Sequence, residues 1–240
     1  MTRVQSFLYQ NKTSEIMSNL ILILGPSGSG KSTAIRTLPP ENTLIINVLG
    51  KRLPFKGSAK KYVDNLFVPA AKDIYGSTIS RLNAANQDEK LKYVVIDDAT
   101  YFMRYENFAT CTQSGYTRFT SMAKNFQTLL LTCQRMRDDI TTFFVMHSEE
   151  VVSDGKIISY QPATCGTLIK REYNPQECVT VALYATPMYN ENKAQYVFIT
   201  NRAVINGVEI PAKSPADMFG TLIIENDYLQ VAKKIQEYYE

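Results

Sequence analysis

The stretch LILILGPSGSGKST, residues 20–33, decides the fold of this chain. Its five apolar residues before Gly25 are typical of a strand buried on both faces, and apolar residues follow Thr33 at helical spacing. Between them lies the complete G-x-x-x-x-G-K-[ST] pattern, from Gly25 to Ser32. The glycines let the backbone turn its N–H groups inward, and the start of a helix adds partial positive charge. The stretch therefore predicts a phosphate-binding loop, called the P-loop below.

The P-loop predicts how a nucleoside triphosphate is held. We expect ATP and Mg²⁺ as ligands, with Lys31 along the β- and γ-phosphates as a catalytic cation and the Ser32 hydroxyl in the magnesium shell. The residues predicted to bind the nucleotide are Gly25, Pro26, Ser27, Gly28, Ser29, Gly30, Lys31, Ser32 and Thr33. The alternative is a glycine-rich turn without a ligand, which the complete spacing disfavours.

The composition predicts a single α/β domain. The chain has 240 residues, 45% of them hydrophobic, which is enough for one substantial core, and we assign residues 19–240 to it. Residues 1–18 are polar with scattered apolar positions. They are expected to form either an oligomerisation arm or a disordered leader.

Charge and cysteine usage limit the classes of function. The net charge of +3 is too small for a protein that coats nucleic acid by charge alone, so any nucleic-acid site must be local. The four cysteines are irregularly spaced and indicate neither a zinc site nor a disulfide framework. Without a signal peptide or a long apolar run, the sequence predicts a soluble cytoplasmic protein with no membrane partner.

A second motif follows in the apolar strand Tyr93–Asp98, which ends in two acids. Strand ends of open α/β sheets face the ligand crevice, so Asp97 is expected to hold magnesium and Asp98 to act as the catalytic base for water. An apolar run followed by Asp is weak evidence for a magnesium site when it stands alone. After a complete P-loop the same pattern favours a Walker B element, and the evidence is strongest for Asp97.

The single histidine, His147, ends the predicted strand Thr141–His147. A polar group at such a strand end is placed to sense the γ-phosphate, so His147 is a candidate catalytic sensor. The alternative is an ordinary boundary histidine.

The rest of the chain predicts further strands, helices and surface features. We expect a strand at Thr43–Val48, a basic surface loop at Leu49–Ala70 and a long amphipathic helix from Phe119 to Met136. Two hairpins, turning at Asp154-Gly155 and at residues 190–192, are expected to extend the sheet antiparallel. Ser77 and Asn226 are the expected N-caps of two helices.

An aromatic and basic segment follows the two acids. Its members are Tyr101, Phe102, Arg104, Tyr105, Phe108, Tyr116, Arg118 and Phe119. Aromatic rings stack on bases while arginines bind phosphates, so the segment suits single-stranded nucleic acid. The alternative is that the rings only pack beneath a loop.

Three other classes of nucleotide-binding protein can be compared with this motif set. The P-loop also looks like that of guanylate kinases, but their Thr-Thr-Arg signature and an arginine-rich lid are missing. A GTPase is disfavoured because no N-K-x-D element follows a core strand, and a transporter ATPase because no L-S-G-G-Q-like signature occurs.

The whole chain resembles the small phage-encoded AAA/RecA-like ATPases, including the RecA-like single-strand-annealing proteins of phage recombination. The RecA-like and AAA-type ATPases have an extra strand between the P-loop and the two-acid strand, and Thr43–Val48 lies at that place in the sequence. The resemblance is carried by Gly25–Thr33, Val94–Asp98, Val145–His147, Lys213–Phe219 and Glu225–Tyr228.

The resemblance implies a RecA-like core with a mostly parallel central sheet flanked by helices, binding ATP and Mg²⁺ in the host cytoplasm. It implies a ring or filament with the nucleotide at the subunit boundary, a single-strand-binding protein as a partner, and single-stranded DNA on loops at about Tyr101–Arg118 and Glu149–Arg171. Arg202 and Lys213 are candidates for a cation given to a neighbour's γ-phosphate. One departure is that the strand Thr43–Val48 runs on to Gly50 without an acid, so that either Asp98 acts as the base or hydrolysis is weak.

Three hypotheses follow for function. The first is an ATP-hydrolysing RecA-like protein that binds single-stranded DNA and promotes annealing or strand exchange in phage recombination or replication. The second is a nucleotide kinase acting on a small acceptor. The third is a nucleotide-switched assembly factor that binds protein instead of DNA.

Overall fold

The computed structural model describes residues 18–113, 115–190 and 193–240. The predicted arm at residues 1–18 therefore lies outside the described residues, apart from Ser18, whose hydroxyl donates to the carbonyl oxygen of Cys133 at 2.7 Å. In the described residues no helix is both long enough and apolar enough to cross a membrane.

The elements alternate between strands and helices over the first half of the chain. The strands are β1 (Asn19–Leu24), β2 (Thr43–Asn47), β3 (Leu66–Phe67), β4 (Tyr93–Asp97), β5 (Thr141–Val145), β6 (Ser148–Ser153), β7 (Lys156–Pro162), β8 (Val181–Asn190), β9 (Lys193–Ile199), β10 (Ala203–Ile205), β11 (Val208–Ile210) and β12 (Ile223–Glu225). The helices are α1 (Ser58–Lys61), α2 (Ile74–Gln87), α3 (Thr100–Ala109), α4 (Thr117–Gln134), α5 (Thr167–Glu172) and α6 (Tyr228–Tyr239), with 3-10 helices at Ser32–Thr37 and Pro40–Asn42.

The central sheet has eight strands in the order β12-β9-β8-β1-β5-β4-β2-β3. The six strands from β8 to β3 run parallel, and β9 and β12 are antiparallel to their neighbours. This confirms the predicted mostly parallel sheet. The strand predicted at Thr43–Val48 is present as β2. In the sheet β2 lies on the far side of β4, because β5 lies between β1 and β4.

Helices cover both faces of the sheet, which explains why β1 is apolar at every position after Asn19. Leu20, Leu22 and Leu24 pack against α2, α3 and α4 on one face. Ile21 and Ile23 pack against the 3-10 helix Ser32–Thr37 and α6 on the other. Alternate side chains of a strand point to opposite faces, so a strand buried on both sides needs apolar residues throughout.

The two predicted hairpins both form, but only one extends the central sheet. The hairpin β8–β9 does so, and its turn at residues 190–192 lies largely outside the described residues. The hairpin β6–β7, turning at Asp154 and Gly155, instead belongs to a separate four-stranded sheet of order β10-β11-β7-β6. A hairpin turn fixes which two strands pair but not which sheet they join.

Several predicted boundaries shift for local reasons. The helix after the P-loop is a single 3-10 segment, because Pro39 and Pro40 cannot continue it. The N-cap of α2 is Asp73 and not Ser77, and the N-cap of α6 is Asp227 and not Asn226. Each aspartate accepts a hydrogen bond from a backbone N–H three residues later. The long helix predicted at Phe119–Met136 is present as α4.

Candidate functional site

The P-loop connects the carboxyl end of β1 to the 3-10 helix and encloses the Lys31 side chain. Its Nζ donates hydrogen bonds to the carbonyl oxygens of Gly25 and Pro26, at 2.8 and 2.6 Å. Burial lowers the pKa of Lys31 to about 8, although the nearby carboxylates of Asp98 and Asp97 act in the opposite direction. The ammonium thus lies inside the loop, where an anionic phosphate would stabilise its charged form further.

Two glycines of the P-loop are required by close contacts as well as by conformation. A Cβ atom at Gly30 would lie 2.6 Å from Cγ of Tyr196, and its φ is +91°. A Cβ atom at Gly25 would lie 2.6 Å from the carbonyl oxygen of Ala185. The hairpin β8–β9 therefore packs directly on the P-loop, in a way that leaves no room for side chains at these positions.

Ser32 and Asp97, the two residues predicted to hold Mg²⁺, are in contact. The Ser32 hydroxyl donates to Oδ1 of Asp97 at 2.7 Å, while Oδ2 of Asp97 is buried without a hydrogen-bond partner among the residues that the structure describes. Burial, and after it the charge of Asp98, raises the pKa of Asp97 to about 6. A hydroxyl beside a carboxylate with one unsatisfied oxygen is an oxygen donor set of the kind that Mg²⁺ binds, so these residues fit the predicted metal.

Asp98 follows β4 in a left-handed backbone conformation, with φ of 59°. Its Oδ1 lies 3.2 Å from Nε2 of His147, and its Oδ2 lies 2.5 Å from Nζ of Lys51. Burial disfavours the ionised carboxylate, but hydrogen bonds from His147 and Lys51 outweigh it and lower the pKa of Asp98. The structure thus brings together the predicted base and the predicted sensor, and adds a lysine that the sequence analysis assigned to a surface loop.

Asn47 occupies the strand end where the resemblance would place a glutamate. It pairs with Asp97 across β2 and β4. Its Nδ2 donates to the carbonyl oxygen of Lys51 at 2.6 Å, and its Oδ1 is buried with no hydrogen-bond partner in the described part of the chain. The one sequence signal for Lys51 was its place just after a strand whose carboxyl end faces the P-loop edge of the sheet.

The predicted nucleic-acid segments are loops only in part. In the first segment, α3 covers residues up to Ala109, Tyr116 lies in the connection before α4, and α4 begins at Thr117. Residues 149–171 contain β6, β7, a short connection and most of α5. The second segment approaches the first near the start of α4, where a Cβ atom at Gly166 would lie 3.3 Å from Cδ1 of Phe119. Within the second segment, Lys170 pairs with Glu149 at 3.3 Å.

The aromatic residues of the first segment divide into two groups. Phe102 is fully buried in the core, as the packing alternative predicts. Phe108 and Tyr116 are instead 77% and 88% exposed. We call Tyr101, Arg104, Tyr105, Phe108, Tyr116 and Arg118 the α3 surface.

We call Asp98 with its partners His147 and Lys51 the acid site. The α3 surface contacts this site through Tyr101. The Tyr101 ring lies edge-on to His147, with ring centroids 6.0 Å apart, and the Arg104 guanidinium lies 4.9 Å from the centroid of the Tyr101 ring. The backbone N–H of His147 also donates to Oγ1 of Thr100, at the start of α3, at 2.9 Å. The same histidine therefore contacts both Asp98 and the helix that carries the exposed surface.

The two candidate cations for a neighbouring subunit have other partners within their own chain. Arg202 pairs with Glu209 at 2.6 Å, and the backbone of Lys213 pairs with Ala182. Ala182 lies opposite Leu22, two positions before the end of β1. Their action on a second subunit stays a prediction.

The chain was compared with protein families, curated proteins and solved structures. A family described as "AAA domain" matches residues 17–170, which is more than half of the chain. No match was found among curated proteins. Among solved structures, the chain is similar to a KaiC-like protein from the hyperthermophilic archaeon Pyrococcus horikoshii OT3, with 11% identity and a TM-score of 0.46, over 83% of this chain and 94% of that one. The chain belongs to the AAA domain family and has an α/β P-loop NTPase fold.

Proposed function

We propose that the protein binds and hydrolyses ATP with Mg²⁺, and that single-stranded DNA on the α3 surface controls this turnover during annealing or strand exchange. The observation that carries the proposal is the contact of His147 with both Asp98 and Tyr101. A group that touches both the base and an exposed aromatic helix is placed to report one site to the other.

The nucleotide part of the proposal rests on the P-loop and β4. Lys31 now donates to the uncharged carbonyl oxygens of Gly25 and Pro26. When a nucleotide binds, its ammonium would move to the negatively charged phosphates. Ser32 and Asp97 would hold Mg²⁺, which neutralises phosphate charge when bound. These residues leave Asp98 as the carboxylate for the attacking water.

Hydrolysis then needs one proton acceptor. The oxygen of water forms a bond to the γ-phosphorus while the bond to the bridging oxygen breaks, giving ADP and inorganic phosphate. Asp98 accepts the proton that water loses, and releases it to solvent afterwards. His147 and Lys51 each contact one oxygen of Asp98 and lower its pKa, so loss of either contact would make Asp98 a stronger base.

The DNA part of the proposal rests on exposure and composition. Phe108 and Tyr116 present apolar rings to solvent, which suits stacking on bases, and Arg104 and Arg118 supply charge for phosphates. Because the net charge of the chain is only +3, binding has to come from such a local cluster.

The test is ATP turnover with and without single-stranded DNA, together with DNA binding at increasing salt. We expect stimulation by DNA and binding that weakens with salt. Transfer of phosphate to an added nucleoside monophosphate would instead support the kinase hypothesis. ATP-dependent assembly without any DNA binding, measured by light scattering, would support the assembly factor.

A further inference from the structure

Lys51 is presented to the acid site by a loop with a defined backbone course. The loop turns directly after β2, where the N–H of Gly50 donates to the carbonyl oxygen of Asn47 at 3.1 Å and Gly50 adopts φ of +63°. The Asn47 side chain then donates to the carbonyl oxygen of Lys51. The end of β2 therefore fixes the loop on both sides of the turn, and only the Lys51 side chain extends to Asp98.

The ion pair of Lys51 is unlike an ordinary surface salt bridge. In such a pair both groups are exposed, and the pair contributes little. Here the Asp98 side chain is 3% exposed, whereas that of Lys51 is 48% exposed. The half-exposed, flexible side chain of Lys51 thus covers the buried carboxylate of Asp98. Because the backbone after β2 is fixed, this side chain can leave Asp98 without any unfolding of the loop that carries it.

The charges of the site balance only while no nucleotide is bound. Among the described residues, the lysines and carboxylates that act on one another here are the cations Lys31 and Lys51 and the acids Asp97 and Asp98, and the imidazole of His147 also contacts Asp98. A magnesium triphosphate adds net negative charge at this place. A second cation beside Lys31 then has more to gain from the γ-phosphate than from Asp98.

We infer that Lys51 is a catalytic residue that transfers from Asp98 to the γ-phosphate when a triphosphate binds, supplying in the same chain the cation that the resemblance led us to expect from Arg202 or Lys213 of a neighbour. This inference rests on the proposed function. The same movement frees Oδ2 of Asp98 to accept the proton of the attacking water. Lys51 is therefore both the cation of the reaction and the group that withholds the base until a γ-phosphate is present.

The test compares Lys51→Met with Arg52→Met, which removes the adjacent, exposed cation, by measuring affinity for Mg-ADP and for a non-hydrolysable Mg-ATP analogue. We expect Lys51→Met to weaken binding of the analogue about tenfold while ADP affinity is unchanged, because only the analogue carries the third phosphate. Turnover should fall by about 100-fold, the typical effect of one transition-state donor. Arg52→Met should match the wild type in all three measurements.

Two outcomes would overturn the assignment. Equal loss of affinity for both nucleotides would make Lys51 a structural part of the loop, and unchanged or faster turnover would exclude a contribution to the reaction. If Lys51→Met does not fold, Lys51→Gln removes the charge and keeps a polar side chain, and the same results are expected. Failure of the wild type to bind either nucleotide would instead overturn the proposed function itself.

Discussion

The phenolic hydroxyl of Tyr228 donates a 2.9 Å hydrogen bond to the backbone oxygen of Lys31, 197 positions earlier in the chain. The Tyr228 ring is stacked on Phe143 at 4.2 Å and on Phe198 at 5.8 Å between centroids. The N–H groups of Tyr228 and Leu229 also donate to Oγ1 of Thr37, at the end of the 3-10 helix. The beginning of α6 therefore holds the end of the P-loop and the 3-10 helix in place through these hydrogen bonds. It lies beyond the residues matched by the AAA domain family.

The change Tyr228→Phe is expected to keep the stacking and lose the hydrogen bond to Lys31. The Lys31 carbonyl oxygen keeps the weaker hydrogen bond from the N–H of Ala34, so loss of one buried hydrogen bond should lower the free energy of unfolding by about 1 kcal/mol. Because the P-loop loses a fixed point, ATP should also bind more weakly. Urea unfolding and nucleotide titration measure these effects, and Tyr238→Phe, on the exposed side of the same helix, serves as the control. Unchanged stability would show that the hydrogen bond contributes nothing.

The change Asp97→Asn should stabilise the nucleotide-free protein at pH 7 and abolish magnesium-dependent turnover. The pKa of Asp97 rises from 3.8 to about 6 on folding, so the folded protein holds the proton more tightly. Its stability therefore falls as pH rises through that interval, and asparagine removes the penalty. The gain at neutral pH should be about 2 to 3 kcal/mol and should disappear near pH 4.

Thermal unfolding across this pH range tests the prediction, with Asp139→Asn as a control of opposite sign. Arg137 lowers the pKa of Asp139, so that carboxylate stabilises the protein at neutral pH and loses this effect in acid. A stability difference for Asp97→Asn that stayed constant from pH 4 to pH 7 would contradict the assignment.

The changes Gly30→Ala and Gly28→Ala should differ in severity. At Gly30 the new methyl group would meet the Tyr196 ring, whereas at Gly28 nothing lies within 4 Å. Both have positive φ, so each carries a conformational penalty of about 1 kcal/mol, and only Gly30→Ala adds a steric clash. We expect loss of nucleotide binding for Gly30→Ala and a modest reduction for Gly28→Ala. Tyr196→Ala combined with Gly30→Ala should restore binding only in part, because φ stays positive.

The changes Phe108→Ala and Tyr116→Ala should each weaken binding of single-stranded DNA by about 1 to 3 kcal/mol without affecting stability or basal turnover. Both side chains are largely exposed, so their removal leaves the core intact. Fluorescence anisotropy with a labelled oligonucleotide measures the loss. Val204→Ala, which truncates a 71% exposed apolar residue of the second sheet, is the control. Full DNA affinity in both aromatic variants would remove the α3 surface from the proposal.

Local patterns were sufficient for the P-loop and for the position of Asp97, because each motif combines a strand with the residues that follow it directly. The contact of Lys51 with Asp98 could not be predicted, because it depends on the turn that Asn47 fixes, which no spacing in the sequence reveals. The contact of Tyr228 with Lys31 joins distant parts of the chain. The helix after the P-loop was predicted from apolar spacing, and Pro39 limits it to one short segment.

The left-handed conformation of Asp98 explains which acid this chain carries. Aspartate and asparagine tolerate positive φ better than longer side chains, because their short polar groups can bond locally. Glutamate offers the same carboxylate, but at this turn it would meet a backbone that disfavours it, and its longer side chain would place the carboxylate differently relative to His147 and Lys51. The backbone conformation of a single residue thus favours the shorter acid at this position, independently of what the reaction requires.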